Sequence, residues 1–245
     1  MSSRPLALVY RGPASRPVGC AEAVAEVLAR NRRGFDVRYV GPREGLTLRT
    51  DVLTAATVYA QPGGGTLRHG YRVMARHRAR IRSYVAAGGN YLGFCLGGYL
   101  AGATPGFGLL PGDTDQYIAT PGATVTTSGD TIVDVHWGHR TRAVFFQDGP
   151  VFQLSGPHAD GTGADGASGD GAAGVTILAR YPNRQIAALV TDFGAGRVGV
   201  VGPHPEAPPD WYADAGLPWP GSTATDLVDD LIEQLLNRRG SGGHG

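Results

Sequence analysis

The chain has 245 residues, enough to bury one sizeable core without disulfide staples, and better suited to one large domain than to two small ones. A formal net charge of +1 and only two thiols, Cys20 and Cys95, exclude a polyanion-seeking global field and a disulfide framework. No stretch approaches the roughly 20 apolar residues of a membrane span. The apolar run at residues 6–10 is too short for a signal segment and is followed at once by Arg11. The expected setting is therefore the cytoplasm, with no nucleic-acid or membrane partner. All 22 basic residues are Arg, which we read as codon bias before chemistry.

In chain order, residues 6–10 (LALVY) read as a buried strand closed by the turn Gly12-Pro13. Residues 18–30 carry Ala, Val, Leu and Glu at helical spacing, and 36–40 and 57–60 read as further strands. The third strand stops abruptly at Gln61-Pro62-Gly63-Gly64-Gly65. One long helix is predicted over 67–87, ended by Gly88-Gly89 as a cap. A strand follows at 90–94, then a short helix from Leu96 that ends before Pro105. Strands alternating with helices of this length imply right-handed crossovers and a parallel sheet. Residues 113–117 (DTDQY) read as a polar loop, and 131–136, 142–147, 175–180, 186–192 and 198–201 as strands. Residues 155–174 hold almost no apolar side chain and are expected to form a flexible Gly/Asp-rich surface loop. A last helix is predicted over 223–236, with Leu227, Leu231 and Leu235 on one face, and a disordered tail over 241–245. Neither a repeat nor a linker divides the chain, so residues 1–240 are expected to form a single domain.

The segment Gly93-Phe94-Cys95-Leu96-Gly97 places a cysteine at the hinge between a strand and a helix, with small residues two positions to either side. This is the thiol form of the nucleophile elbow: the turn is so tight that side chains at the flanking positions would strike neighbouring backbone. A thiol held at a helix N-terminus is biased toward thiolate, the nucleophilic form. Cys20 has no such frame and reads as a small core hydrophobe.

A nucleophile needs a base. His69 and His77 lie among arginines, His158 and His244 in Gly-rich tracts, and His139 in a polar turn. His136 ends a strand and stands as second choice. His204 is the first choice, because Gly202-Pro203-His204-Pro205-Glu206 follows a strand directly. In an extended segment residues two apart face the same way, so Glu206 can orient His204 while its other nitrogen meets Cys95.

With these motifs in hand, the chain resembles the class I glutamine amidotransferase superfamily, whose triad is Cys-His-Glu. Within it, residues 10–13, 61–65 and 81–101 are most similar to the amidotransferase-like domain at the N-terminus of biotin-protein ligases and in stand-alone bacterial proteins. The resemblance implies an α/β, flavodoxin-like three-layer sandwich, with a mostly parallel central sheet and additional antiparallel strands in the C-terminal half. It implies catalysis by Cys95, His204 and Glu206 through a thioester, with no metal and no cofactor. Backbone amides of Leu96, Gly63 and Gly64 would meet the oxyanion; Gly65, Tyr99 and Gln116 are candidates for substrate contact. Glutamine-using members usually carry Gln four residues after the cysteine, where this chain has Tyr99, so the amide is left as glutamine or another small carboxamide.

Three readings compete. The first is a thiol amidotransferase or amidohydrolase; the second is a non-catalytic binding or regulatory module on the same fold. The third, the related protease and deglycase branch, usually lacks the His-Pro-Glu arrangement and ranks last. Arg68, Arg72, Arg76 and Arg80 repeat every four residues along the long predicted helix. They read as a solvated face with scattered acidic partners, or as a docking surface for a separate synthetase or acceptor protein.

Overall fold

The computed structural model describes residues 4–155 and 174–237. Apart from its two end residues, the tract expected to be a flexible loop lies outside them, as does the expected tail at 241–245. The strands are β1 (Leu6–Tyr10), β2 (Asp36–Val40), β3 (Val58–Gln61), β4 (Asn90–Phe94), β5 (Gly112–Gln116), β6 (Thr131–Trp137), β7 (Arg140–Phe146), β8 (Pro150–Leu154), β9 (Val175–Arg180), β10 (Ile186–Phe193) and β11 (Gly196–Val201). The helices are α1 (Gly19–Arg30), α2 (Thr50–Thr54), α3 (Leu67–Met74), α4 (Arg78–Ala86), α5 (Leu96–Ala101), α6 (Pro209–Asp214) and α7 (Thr225–Leu236).

One sheet runs in the order β2-β1-β3-β4-β11-β10-β9-β6-β7, with β8 joining β10 and β5 joining β8. Pairing from β2 through β11 is parallel, and from β11 to β7 antiparallel. Alternation along each strand divides the core in two. Ala7, Val9, Leu92 and Phe94 face α1 and α7, whereas Leu8, Tyr10, Tyr59 and Tyr91 face α2 to α5. The result is the expected three-layer sandwich. On α7, Leu227, Leu231 and Leu235 are buried together, each contributing about 2 kcal/mol of hydrophobic stabilisation.

The long helix expected over 67–87 is two helices, α3 and α4, joined by a 3₁₀ turn at Ala75–His77. His77 lies at that turn and receives a hydrogen bond from Arg76 Nε. Residues 113–117, expected as a loop, form β5 and the start of a 3₁₀ turn, because β8 supplies backbone partners along the whole length of the strand. Sequence reading also passed over α2, β8 and α6; the last of these opens with a proline at its first positions. The expected acidic partners of the arginine stripe do not appear. Among the described residues no ion pair involves Arg68, Arg72, Arg76 or Arg80, and Arg80 instead donates to the carbonyl of Leu48.

What matters most for function is that β4 and β11 are neighbours. Phe94 pairs with Val201 in register, and the Cys95 amide donates to the Val201 carbonyl at 2.9 Å. Whatever follows these two strands therefore emerges side by side at one sheet edge.

Candidate active site

Cys95 follows β4 as the N-cap of α5 with φ 45° and ψ −103°, a conformation costly for a side-chain-bearing residue. The flanking glycines explain how the chain tolerates the bend. A Cβ on Gly93 would lie 2.6 Å from the Gly97 carbonyl oxygen, and one on Gly97 would lie 2.0 Å from that of Gln61. The elbow is scaffolded by buried polar groups: Tyr91 Oη donates to the Gly97 carbonyl at 2.7 Å, and Gln61 bridges Tyr59 Oη and the Ala14 carbonyl.

His204 comes from the segment after β11, its amide donating to the carbonyl of Phe145 at 2.8 Å. Its Nδ1 is 2.8 Å from Glu206 Oε1, and both residues are 2% exposed. The two are brought together differently from the extended arrangement expected. Ala207 N–H donates to the His204 carbonyl, closing a turn that folds Glu206 back onto the ring. The rings of Phe145 and Trp211 stand edge-on to the imidazole at 6.1 and 5.4 Å between centroids, holding it in place. No pattern of short spacing marks Phe145, but the Trp211-Tyr212 pair just beyond Glu206 was an available signal.

The third wall is the loop after β3. A Cβ on Gly63 would lie 2.6 Å from His204 Cε1 and 3.2 Å from Cys95 Cβ, so this backbone sits directly on both groups. Gly64 has φ 102° and packs against the backbone of Arg16, a position no other residue fills without strain. Leu96 opens α5, where helix geometry leaves its amide without an intrahelical acceptor. The structure thus gathers Cys95, His204, Glu206, Gly63, Gly64 and Leu96 at one place.

Burial alone would push the His204 imidazole down. The Cys95 and Glu206 groups on either side of it, by charge and by hydrogen bonding, reverse that and lift it from 6.5 to about 10. Glu206 Oε2 has no hydrogen-bond partner among the described residues, so the imidazolium is the chief compensation for this buried carboxylate. A pH dependence follows, with its sign fixed by the raised value. The stability contributed by protonated His204 is fully present below pH 6.5 and is lost as pH rises through about 10. The melting temperature of the protein is expected to fall over that interval. A His204→Gln variant, melted over the same pH series, should lack this component of the decline; an identical profile would refute the assignment.

The other candidates have different surroundings. His136 is exposed on β6 with Nδ1 3.0 Å from Thr141 Oγ1, whereas His204 is the histidine packed against Cys95 and Gly63. His77 is pushed down to about 4 by burial and by Arg76 and Arg80. Gly65 is exposed, with open space around its Cα. Gln116 is exposed on β5, and its Nε2 donates to both carboxylate oxygens of Asp148 at 2.9 Å. Tyr99 is buried with its hydroxyl unpartnered among the described residues, held neutral by burial and by the charges of Asp148, Cys95 and Asp115.

One contact escaped sequence reading. The Cys95 thiol donates to the carbonyl oxygen of Gln147 at 3.5 Å, so the turn between β7 and β8 roofs the sulfur. Its next residue, Asp148, has φ 46° and a carboxyl raised by burial. Backbone carbonyls leave no trace in side-chain patterns.

Sheet order, elbow and converging side chains define a protein of glutamine amidotransferase-like architecture. The chain is similar in structure to a glutamine amidotransferase (16% identity, covering 81% of this chain and 90% of that one, TM-score 0.55). It is also similar to a candidate GMP synthase component from Thermoplasma acidophilum (10% identity, 95% and 94% coverage, TM-score 0.57). A third likeness is to a ThuA-like protein from Bacteroides uniformis (12% identity, 99% and 95% coverage, TM-score 0.54). At these identities the likeness is one of fold. In sequence, residues 6–115 match the family model described as biotin-protein ligase, N terminal, which bears out the resemblance read from the motifs. That match includes Gly63 and Cys95 and stops short of His204 and Glu206. No curated protein matches the chain in sequence.

Proposed function

We propose that the chain is a thiol-dependent amidotransferase or amidohydrolase that acts on a small carboxamide, glutamine or another, through a thioester. The observation that carries this reading is the convergence of Cys95, His204 and Glu206 from distant points of the chain, with Gly63 packed against both sulfur and ring. In the reaction the Cys95 proton is held on His204, and the thiolate adds to the amide carbon. The resulting oxyanion is met by the amides of Leu96 and the Gly63–Gly64 loop, donors of a kind that contribute a few kcal/mol each. His204 then protonates the leaving nitrogen as the C–N bond breaks, releasing ammonia and leaving an acyl-Cys95 thioester. Water, deprotonated by His204, adds to the thioester; the C–S bond breaks, the acid departs and the thiolate returns. Glu206 orients the ring and stabilises its charge throughout. Where the ammonia has an acceptor, a synthetase on a separate chain is the proposed partner.

A second reading, a binding or regulatory module, draws on Tyr99 in place of the usual Gln and on the 6% exposure of Cys95 beneath Gln147. Ammonia release from glutamine, asparagine and a panel of small primary amides separates the two. On the catalytic reading at least one amide is turned over, and Cys95→Ser lowers its kcat/KM by about 10³-fold or more. Release that survives this substitution, or no release from any amide, would favour the module.

A further inference from the structure

Away from Cys95 and His204, the loops after β1 and β2 border an open cavity of about 320 Å³ whose lining includes Arg11, Gly12, Arg16, Pro42, Arg43 and Glu44. Its size is that of a small-molecule site, and its place is the carboxyl end of parallel strands, where open α/β sheets receive ligands. The walls are firm. Arg11 N–H donates to the Val40 carbonyl at 2.9 Å, and a Cβ on Gly41 would lie 2.0 Å from the Arg11 carbonyl oxygen, so the two loops pack backbone to backbone. At the base, a Cβ on Gly12 would meet both Tyr10 Oη at 2.6 Å and Pro42 Cδ at 2.9 Å.

The charge is unbalanced. Arg11 is engaged: it grips Glu44 with two hydrogen bonds of 2.8 Å, lies 3.7 Å over the Tyr39 ring and reaches Glu22 at 3.9 Å. Glu44 is thereby consumed. Arg16 and Arg43 are exposed and form no ion pair among the described residues, so three guanidinium groups line the cavity with one carboxylate, already paired. The chain as a whole carries only +1, so this is a local concentration of charge, not a share of a general field.

We propose that this cavity is a binding site for the anionic group of a small molecule, a phosphate or carboxylate clasped between Arg16 and Arg43. Guanidinium groups suit both anions through paired, charge-assisted hydrogen bonds. The site does not depend on the catalytic reading, although the two are close: the backbone of Arg16 packs against Gly64 of the loop that covers His204.

Calorimetric titration of the full chain with pyrophosphate and with citrate, at matched ionic strength, tests this. Saturable binding of at least one anion is expected, and the stronger of the two identifies phosphate or carboxylate as the preferred group. The double variant Arg16→Gln/Arg43→Gln should weaken it by about tenfold or more. Arg68→Gln/Arg72→Gln, on the exposed face of α3, should leave it within about twofold, since screened surface charges at a distance contribute little. Absence of saturable binding, undiminished binding by the first variant, or equal loss in both variants would overturn the proposal. All four side chains are exposed or nearly so, and circular dichroism confirms that each variant is folded.

Discussion

Brief treatment with iodoacetamide at pH 8 should modify Cys95 and leave Cys20 intact. Both thiols are almost fully buried, so accessibility alone does not distinguish them. Their surroundings do. Cys20 is pushed up to about 12, first by burial and then by the nearby Glu206 and Cys95, so at pH 8 roughly one molecule in 10⁴ carries the thiolate. Cys95 instead caps α5 and has the His204 imidazole beside it. A rate ratio of about 10² or more in favour of Cys95 is expected, read by peptide mass spectrometry over a time course. His204→Ala should shrink the ratio by slowing Cys95 while leaving the Cys20 rate as it was; an unchanged ratio would count against activation by the imidazole. Equal and slow labelling in the unaltered protein would mean that the imidazole does not activate the sulfur.

Gly63→Ala should damage both the stability of the protein and the reactivity of Cys95. The added carbon would sit 2.6 Å from His204 Cε1 and 3.2 Å from Cys95 Cβ, and neither neighbour can withdraw. The ring is fixed by Glu206, Phe145 and Trp211, and the sulfur by the elbow. Overpacking of this kind typically costs about 1–3 kcal/mol in stability. The effect on the Cys95 alkylation rate should be larger in proportion, because the clash falls between the two groups whose contact produces it. Gly45→Ala, with nothing within 4 Å of the new atom, is the matched control and should change neither. Denaturant unfolding and the alkylation assay together check both; a Gly63→Ala protein of ordinary stability and reactivity would show that the loop yields more than its packing implies.

The features legible in the sequence are those whose cause is local. The elbow announces itself because Gly93 and Gly97 must be bare for the turn to close, and His204 and Glu206 because two prolines frame them on the heels of an apolar strand. Alternating strands and helices gave the layers, and the spacing of Leu227, Leu231 and Leu235 gave the buried face of α7. What was illegible depends on contacts distant in sequence. The β5 residues Gly-Asp-Thr-Asp-Gln have little strand preference of their own and become a strand only because β8 pairs with them. The helical propensity of residues 67–87 runs unbroken through the 3₁₀ turn, so composition gave no warning of it. The roof over Cys95 is a carbonyl, common to every residue type.

The adjacency of β4 and β11 has a consequence for how such a protein can diversify. The chain leaves the parallel sheet after Cys95, builds β5 through β10, and re-enters one strand away to deliver His204. Departure and return are tied together by the Cys95–Val201 hydrogen bond, so the intervening excursion can be recast without separating sulfur from imidazole. Yet it is this excursion that supplies Gln147 above the thiol and Phe145 beside the ring. Cys95 and His204 thus belong to a fixed chassis, while the groups that roof and flank them belong to an interchangeable part.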